Sequence, residues 1–172
     1  VRPITPLQGA EIGGVDLNDL TPAQEADICQ VLTDRKAIVF RDQKISPERF
    51  AMFMHLFGKP VDEDLEPIDG NPRNVGVIHI RANEKQTINF WHMDHSFRAD
   101  PAPKLALYTK TLPECGGDTL FASLESAYDG LSDEMKERIA PLWAIHQVRP
   151  TQNSRRRYTD AEFQAMMERK TR

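Results

Sequence analysis

Cysteine is scarce in this chain of 172 residues, where Cys29 and Cys115 stand far apart and in no paired motif. That excludes a disulfide framework and suits a reducing, cytoplasmic setting better than a secreted scaffold. No such staple is needed, because a chain of this length buries about 70% of the surface its unfolded form exposes. Basic charge is short as well. With 22 Lys and Arg against 26 Asp and Glu the formal net charge is −4, so no global basic field exists to draw nucleic acid or an anionic membrane. Long apolar runs are missing. Stretches such as Ala37-Ile38-Val39-Phe40 fall well below the ~20 residues of a membrane span, and nothing near Val1 reads as a signal peptide. There is no internal repeat and no low-complexity tract. An initiator Met is absent and the chain ends at Lys170-Thr171-Arg172 inside a helical pattern, so a fragment of a longer domain is expected.

What remains is an ordinary globular composition, 40% hydrophobic and 28% charged, consistent with a single core. Thr21-Pro22-Ala23-Gln24 supplies a capping Thr, a Pro at the first helical position and a Gln three residues after the cap. Ile28, Val31 and Leu32 follow at helical spacing and predict a helix of about four turns. Residues 37–40 read as a buried strand. Ser46 and Pro47 open a second helix with Phe50, Phe53, Met54 and Phe57 on one face, which Gly58 and Pro60 end. Residues 59–74 are acidic and rich in Pro and Gly, a long connection of the kind that borders sites. From residue 75 the pattern turns to β, with strands predicted at 75–81, 89–97, 105–111 and 119–122 and another at 143–148. Helices are expected after Ser132 and over 159–170, the latter opened by Thr159 and Glu162.

The densest reactive cluster is Trp91-His92-Met93-Asp94-His95-Ser96-Phe97. In a strand, residues i and i+2 share a face, so His92 and Asp94 would project together as an imidazole and a carboxylate. A neutral imidazole and a carboxylate are two parts of the facial triad that holds a divalent iron, provided a second His arrives from elsewhere. Taken alone, the same tripeptide also describes a hydrogen-bonded surface pair. His95 falls on the opposite face and reads as a pocket wall, while His55 on a helix, His79 on a strand and His146 near a strand end read as structural. Arg155-Arg156-Arg157, the one basic run, lacks interleaved aromatics and reads as a solvated loop.

Five ordered landmarks carry a resemblance. They are Gly9-Ala10-Glu11-Ile12-Gly13-Gly14-Val15-Asp16-Leu17, Val39-Phe40-Arg41-Asp42-Gln43, Phe57-Gly58, Trp91-His92-x-Asp94-x-Ser96-Phe97 and Gly116-Gly117-Asp118-Thr119. In this order and spacing the chain resembles the TauD/TfdA family of iron(II)- and 2-oxoglutarate-dependent dioxygenases. The resemblance implies a mainly β fold with flanking helices, a double-stranded β-helix or jelly roll, of which residues 1–172 hold the N-terminal part of a single domain truncated before its C-terminal strands.

It further implies iron(II) as metal, with His92 and Asp94 as two of its ligands, and 2-oxoglutarate as co-substrate, hydrogen-bonded by the Thr119 hydroxyl. The second His ligand and the Arg for the distal carboxylate would lie beyond residue 172. Such an enzyme decarboxylates 2-oxoglutarate to succinate and CO2 with O2 and hydroxylates a C–H bond of its substrate, the protein holding the metal and aiming the carbon. Taurine-specific members carry Asn four residues before the first His ligand, where this chain has Ile88. Ile88 and His95 would wall the pocket and Thr151 and Gln152 would approach from a lid. The implied substrate is a small anionic organic acid of the aryloxyalkanoate, alkyl sulfate or sulfonate class. A cytoplasmic homo-oligomer without nucleic acid or membrane partners is expected. The alternatives are a zinc-dependent hydrolase on a related barrel and a catalytically inactive binding domain of the same fold.

Overall fold

The computed structural model describes residues 1–60, 70–72, 74–80, 90–97, 104–146 and 161. The chain divides into two compact units, one of Val1–Ile78 with Lys104–Ala140 and one of His79–Pro103 with Pro141–Arg172.

The first unit is built on a three-stranded mixed sheet in the order β1-β2-β3, with β1 at Arg2–Pro3, β2 at Ala10–Ile12 and β3 at Ile38–Phe40. β1 and β2 pair antiparallel. Gly9 begins the return strand at φ +78°, and an added Cβ would lie 3.4 Å from that of Ile4, so both backbone and space favour glycine. β2 and β3 pair parallel, with Ala10 opposite Ile38 and Ile12 opposite Phe40. Parallel neighbours need a crossover, and α1 (Pro22–Arg35) provides it. The capping box expected at Thr21 and Gln24 is formed, and Lys36 ends the helix in the left-handed region at φ 66°. From the last turn of α1, Arg35 donates to the carbonyls of Thr5, Pro6 and Gly9, tying the helix to the hairpin.

The second helix, α2 (Pro47–Met54), is capped by Ser46 and runs into a 3-10 turn at His55–Phe57 that stops at Gly58. Its apolar face closes the core. Ile12, Leu17, Ile28, Ile45 and Phe53 are buried together, and the Phe53 ring meets Phe40 at 5.6 Å and Phe57 at 5.3 Å, both edge to face. Ile28, only 2% exposed, contributes roughly 1.5–3 kcal/mol by its burial. Gln43 stitches the loops around this core. It accepts from the Leu17 amide at 3.0 Å and donates to the Val15 carbonyl at 3.1 Å.

Two further helices, α3 (Leu124–Asp129) and α4 (Asp133–Ile139), are capped by Ser123 and Ser132. α4 was expected after Ser132, whereas α3 was not.

The strands predicted beyond residue 74 are not formed among the described residues. Residues 77–80, 104–122 and 142–146 carry no strand, apart from them Gly76 makes an isolated bridge, and 90–97 bend at Phe90 and turn at 94–97. A strand exists only by pairing, since each backbone N–H and C=O needs a neighbour, and no ladder partner lies beside these segments among the described residues. Their β-rich composition records fitness for a pleated, half-buried surface. Here most of the side chains are uncovered, Leu120 being 73% exposed. His79, expected on a strand, is consequently exposed in irregular chain. The helix predicted at 159–170 apart from residue 161, which is helical, the end of the strand at 143–148, the basic run 155–157, and most of the connection 59–74 lie outside the described residues. No helix among the described residues is long and apolar enough to cross a membrane.

Candidate metal centre

In the second unit His92 and Asp94 meet. His92 Nε2 lies 3.3 Å from Asp94 Oδ1, with both side chains about half exposed. The meeting was expected from the alternation of a strand; it is produced instead by a turn at 94–97, whose second residue, His95, adopts the left-handed region at φ 56°. Tightening the chain after Asp94 folds its carboxylate back toward the imidazole. His95 consequently has no opposite strand face to occupy. It is half-buried, with its ring 6.2 Å from that of Phe97.

The other nitrogen of His92 fixes the chemistry of the pair. Nδ1 lies 3.1 Å from the Phe90 carbonyl oxygen, and a carbonyl only accepts, so Nδ1 carries the proton and donates. The Phe90 ring, 5.5 Å from the imidazole, packs beside it. In the neutral ring Nε2 then presents a lone pair to a carboxylate oxygen. At 3.3 Å and half-exposed, both atoms keep lone pairs available to a cation that the two could share. Nitrogen and oxygen ligands of a divalent ion, each at about 2.1 Å and at right angles, stand roughly 3 Å apart. The observed separation fits that requirement, and the donor set suits a divalent iron. Among the described residues no group of three His, Cys, Asp or Glu is gathered for a metal.

Thr119 belongs to the first unit. It follows a turn in which Gly116 and Gly117 both take positive φ, +78° and +76°, a conformation that only glycine adopts without strain twice in succession. Thr119 is exposed in irregular chain. Ile88, Thr151 and Gln152 lie outside the described residues. The Phe90 carbonyl was missed by sequence reasoning, because a backbone acceptor leaves no mark on residue type.

Residues 1–171 match the family model of the taurine catabolism dioxygenase TauD, TfdA family. Over 149 residues the chain is 32% identical to an alpha-ketoglutarate-dependent sulfate ester dioxygenase of Pseudomonas putida, which covers 85% of this chain and 48% of that protein. Over 159 residues it is 27% identical to an (S)-phenoxypropionate/alpha-ketoglutarate-dioxygenase of Sphingobium herbicidovorans, covering 89% of this chain and 55% of that one. The crystal structure of a taurine dioxygenase from Burkholderia xenovorans superposes with a TM-score of 0.69 at 28% identity, covering 87% of this chain and 53% of its own. The chain thus spans about half the length of the relatives it matches. Since the family match extends over almost every residue, including the His92–Asp94 pair, the chain belongs to the TauD/TfdA family.

Proposed function

We propose that the protein is an iron(II)- and 2-oxoglutarate-dependent dioxygenase that hydroxylates a C–H bond of a small anionic organic acid, releasing succinate and CO2. The observation that carries this reading is the pair in which His92, its Nδ1 committed to Phe90, turns Nε2 toward Asp94 Oδ1 at 3.3 Å. His92 and Asp94 would hold the iron, which when bound supplies the site for 2-oxoglutarate and O2. The chain's own part is to fix the imidazole tautomer through the Phe90 carbonyl, keep the carboxylate beside it, and offer the Thr119 hydroxyl to a 2-oxoglutarate carboxylate. A second His and an Arg from the remaining half of the domain would complete the site. The same half would supply the neighbours that turn the unpaired segments after residue 74 into strands of a jelly roll, with residues 1–172 as one truncated domain.

The substrate reading is a sulfate ester, a longer sulfonate or an aryloxyalkanoate. The named activities of the relatives support it, as does Ile88, which lacks the polar group that a taurine-specific pocket uses. Ile88 and His95 would wall the pocket, with Thr151 and Gln152 approaching from a lid. Isolated cysteines and an acidic balance support a cytoplasmic enzyme without nucleic acid or membrane partners, and assembly into a homo-oligomer rests on the family alone.

The test is substitution of His92 or Asp94 by Ala in the full-length protein. Each variant is expected to lose substrate-dependent succinate formation and bound iron(II) while keeping its circular dichroism spectrum. Near wild-type turnover in either variant would remove the pair from the metal site, and turnover without 2-oxoglutarate would favour a zinc-type hydrolase.

A further inference from the structure

The segment that carries Thr119 has few attachments. Tyr108, packed on Phe50 with ring centroids 6.0 Å apart, donates its hydroxyl to the Gln43 carbonyl at 2.9 Å. Thirteen residues further along, Gln8 Nε2 donates to the Phe121 carbonyl at 2.6 Å. Among the described residues no other hydrogen bond joins residues 109–122 to the rest of the first unit. Past them, the Lys36 ammonium meets Glu125 of α3 at 2.7 Å, on an exposed surface where such a pair holds weakly. Thr119 stands two residues from Phe121, a separation the chain can stretch to no more than about 7 Å. It is therefore suspended from the fold chiefly through the Gln8 contact.

From this geometry we infer that Gln8 is a positioning residue for 2-oxoglutarate, acting through the Phe121 carbonyl to hold the Thr119 hydroxyl where the co-substrate carboxylate needs it. The inference rests on the proposed role of Thr119. Gln8 is itself set by the turn before β2, where its amide donates to Thr5 Oγ1 at 3.1 Å and its carbonyl accepts from the Thr5 amide at 3.3 Å. These are backbone contacts, so changing the side chain removes the tether and leaves the turn. A hydroxyl released from its place must be ordered again when the ligand binds, which lowers affinity without altering chemistry at saturation.

Three substitutions in the full-length enzyme separate the tether from general stability. Gln8→Met keeps length and removes the donor, Gln8→Glu sets an acceptor against the carbonyl, and Gln8→Lys restores a donor. The first two are expected to raise the 2-oxoglutarate KM and calorimetric Kd roughly three- to tenfold, the value of one hydrogen bond, with kcat within twofold. Gln8→Lys is expected to recover most of the affinity. In the metal-free protein, amides of 118–122 should exchange faster in Gln8→Met than in the wild type. An unchanged Kd in Gln8→Met overturns the inference, and so does a parallel fall of kcat and thermal stability that Gln8→Lys fails to rescue. Thr119→Ala serves as reference. If it too leaves Kd unchanged, Thr119 is outside the co-substrate site and the tether's role falls with it. A defective Thr119→Ala beside a normal Gln8→Met overturns the tether alone.

Discussion

Glu11 sits between two arginines, one from β1 and one just past the end of β3, with Arg2 Nη2 at 2.9 Å and Arg41 Nε at 3.3 Å from the same carboxylate oxygen. The hydrogen bond from Arg2, followed by that from Arg41, holds its pKa below the ordinary carboxylate value. A lowered folded value means that the charged form is the one folding favours. The contribution is thus fully present above the unfolded value of about 4.3 and is lost as the pH falls through the lower folded one. Wild type is expected to exceed Glu11→Gln in denaturant midpoint at pH 7, with the gap closing as the pH is taken down through 4. A gap that stays constant across that range would show that the guanidinium contacts do not depend on the carboxylate's charge. At this scale the sequence was informative wherever a side chain acts by its own chemistry. His92 and Asp94 could be singled out as a pair because imidazole and carboxylate are recognisable by type. The acceptors that hold His92, Gln8 and Tyr108 are all backbone carbonyls, and these are invisible in a string of residue names.

Among the elements, the helices were legible because their signals are local. Thr21 accepts from the Gln24 amide at 3.3 Å and the Gln24 side chain returns a bond to the Thr21 amide at 2.9 Å, a reciprocal cap written in four consecutive residues. Thr21→Ala is expected to cost about 1 kcal/mol of stability and Thr21→Ser much less, read from urea midpoints. Equal midpoints for the two variants would mean that the helix is held by its packed face alone. α3 escaped notice because six residues are too few to display a period and Ser123 is its main signal. β1 and β2 escaped for another reason. They are two and three residues long, too short to show an alternation, and the pairing of Ala10 with Ile38 lies beyond any window of local pattern. The turn at 94–97 was read as a strand because alternation of side-chain character cannot reveal that His95 takes a left-handed backbone.

For the whole molecule, a pocket walled by Ile88 as proposed would favour substrates with an apolar body and an acidic head. There an apolar Ile88 in place of Asn would leave the polar groups of a small zwitterion poorly satisfied. In a panel assayed for substrate-stimulated oxygen uptake, alkyl sulfates, longer sulfonates or aryloxyalkanoates are expected to outperform taurine, and taurine as the best substrate would show that Ile88 does not face the pocket. The core of the first unit has a consequence for synthesis. Its buried cluster is drawn entirely from residues 12 to 53, with β3 already delivered by the crossover. Translation at roughly 5–20 residues per second puts several seconds between Phe53 and Tyr108, whereas collapse and helix formation take microseconds. The Gln43 carbonyl and the Gln8 amide would therefore be in place on the ribosome before Tyr108 and Phe121 are made, so the segment bearing Thr119 docks onto a finished platform.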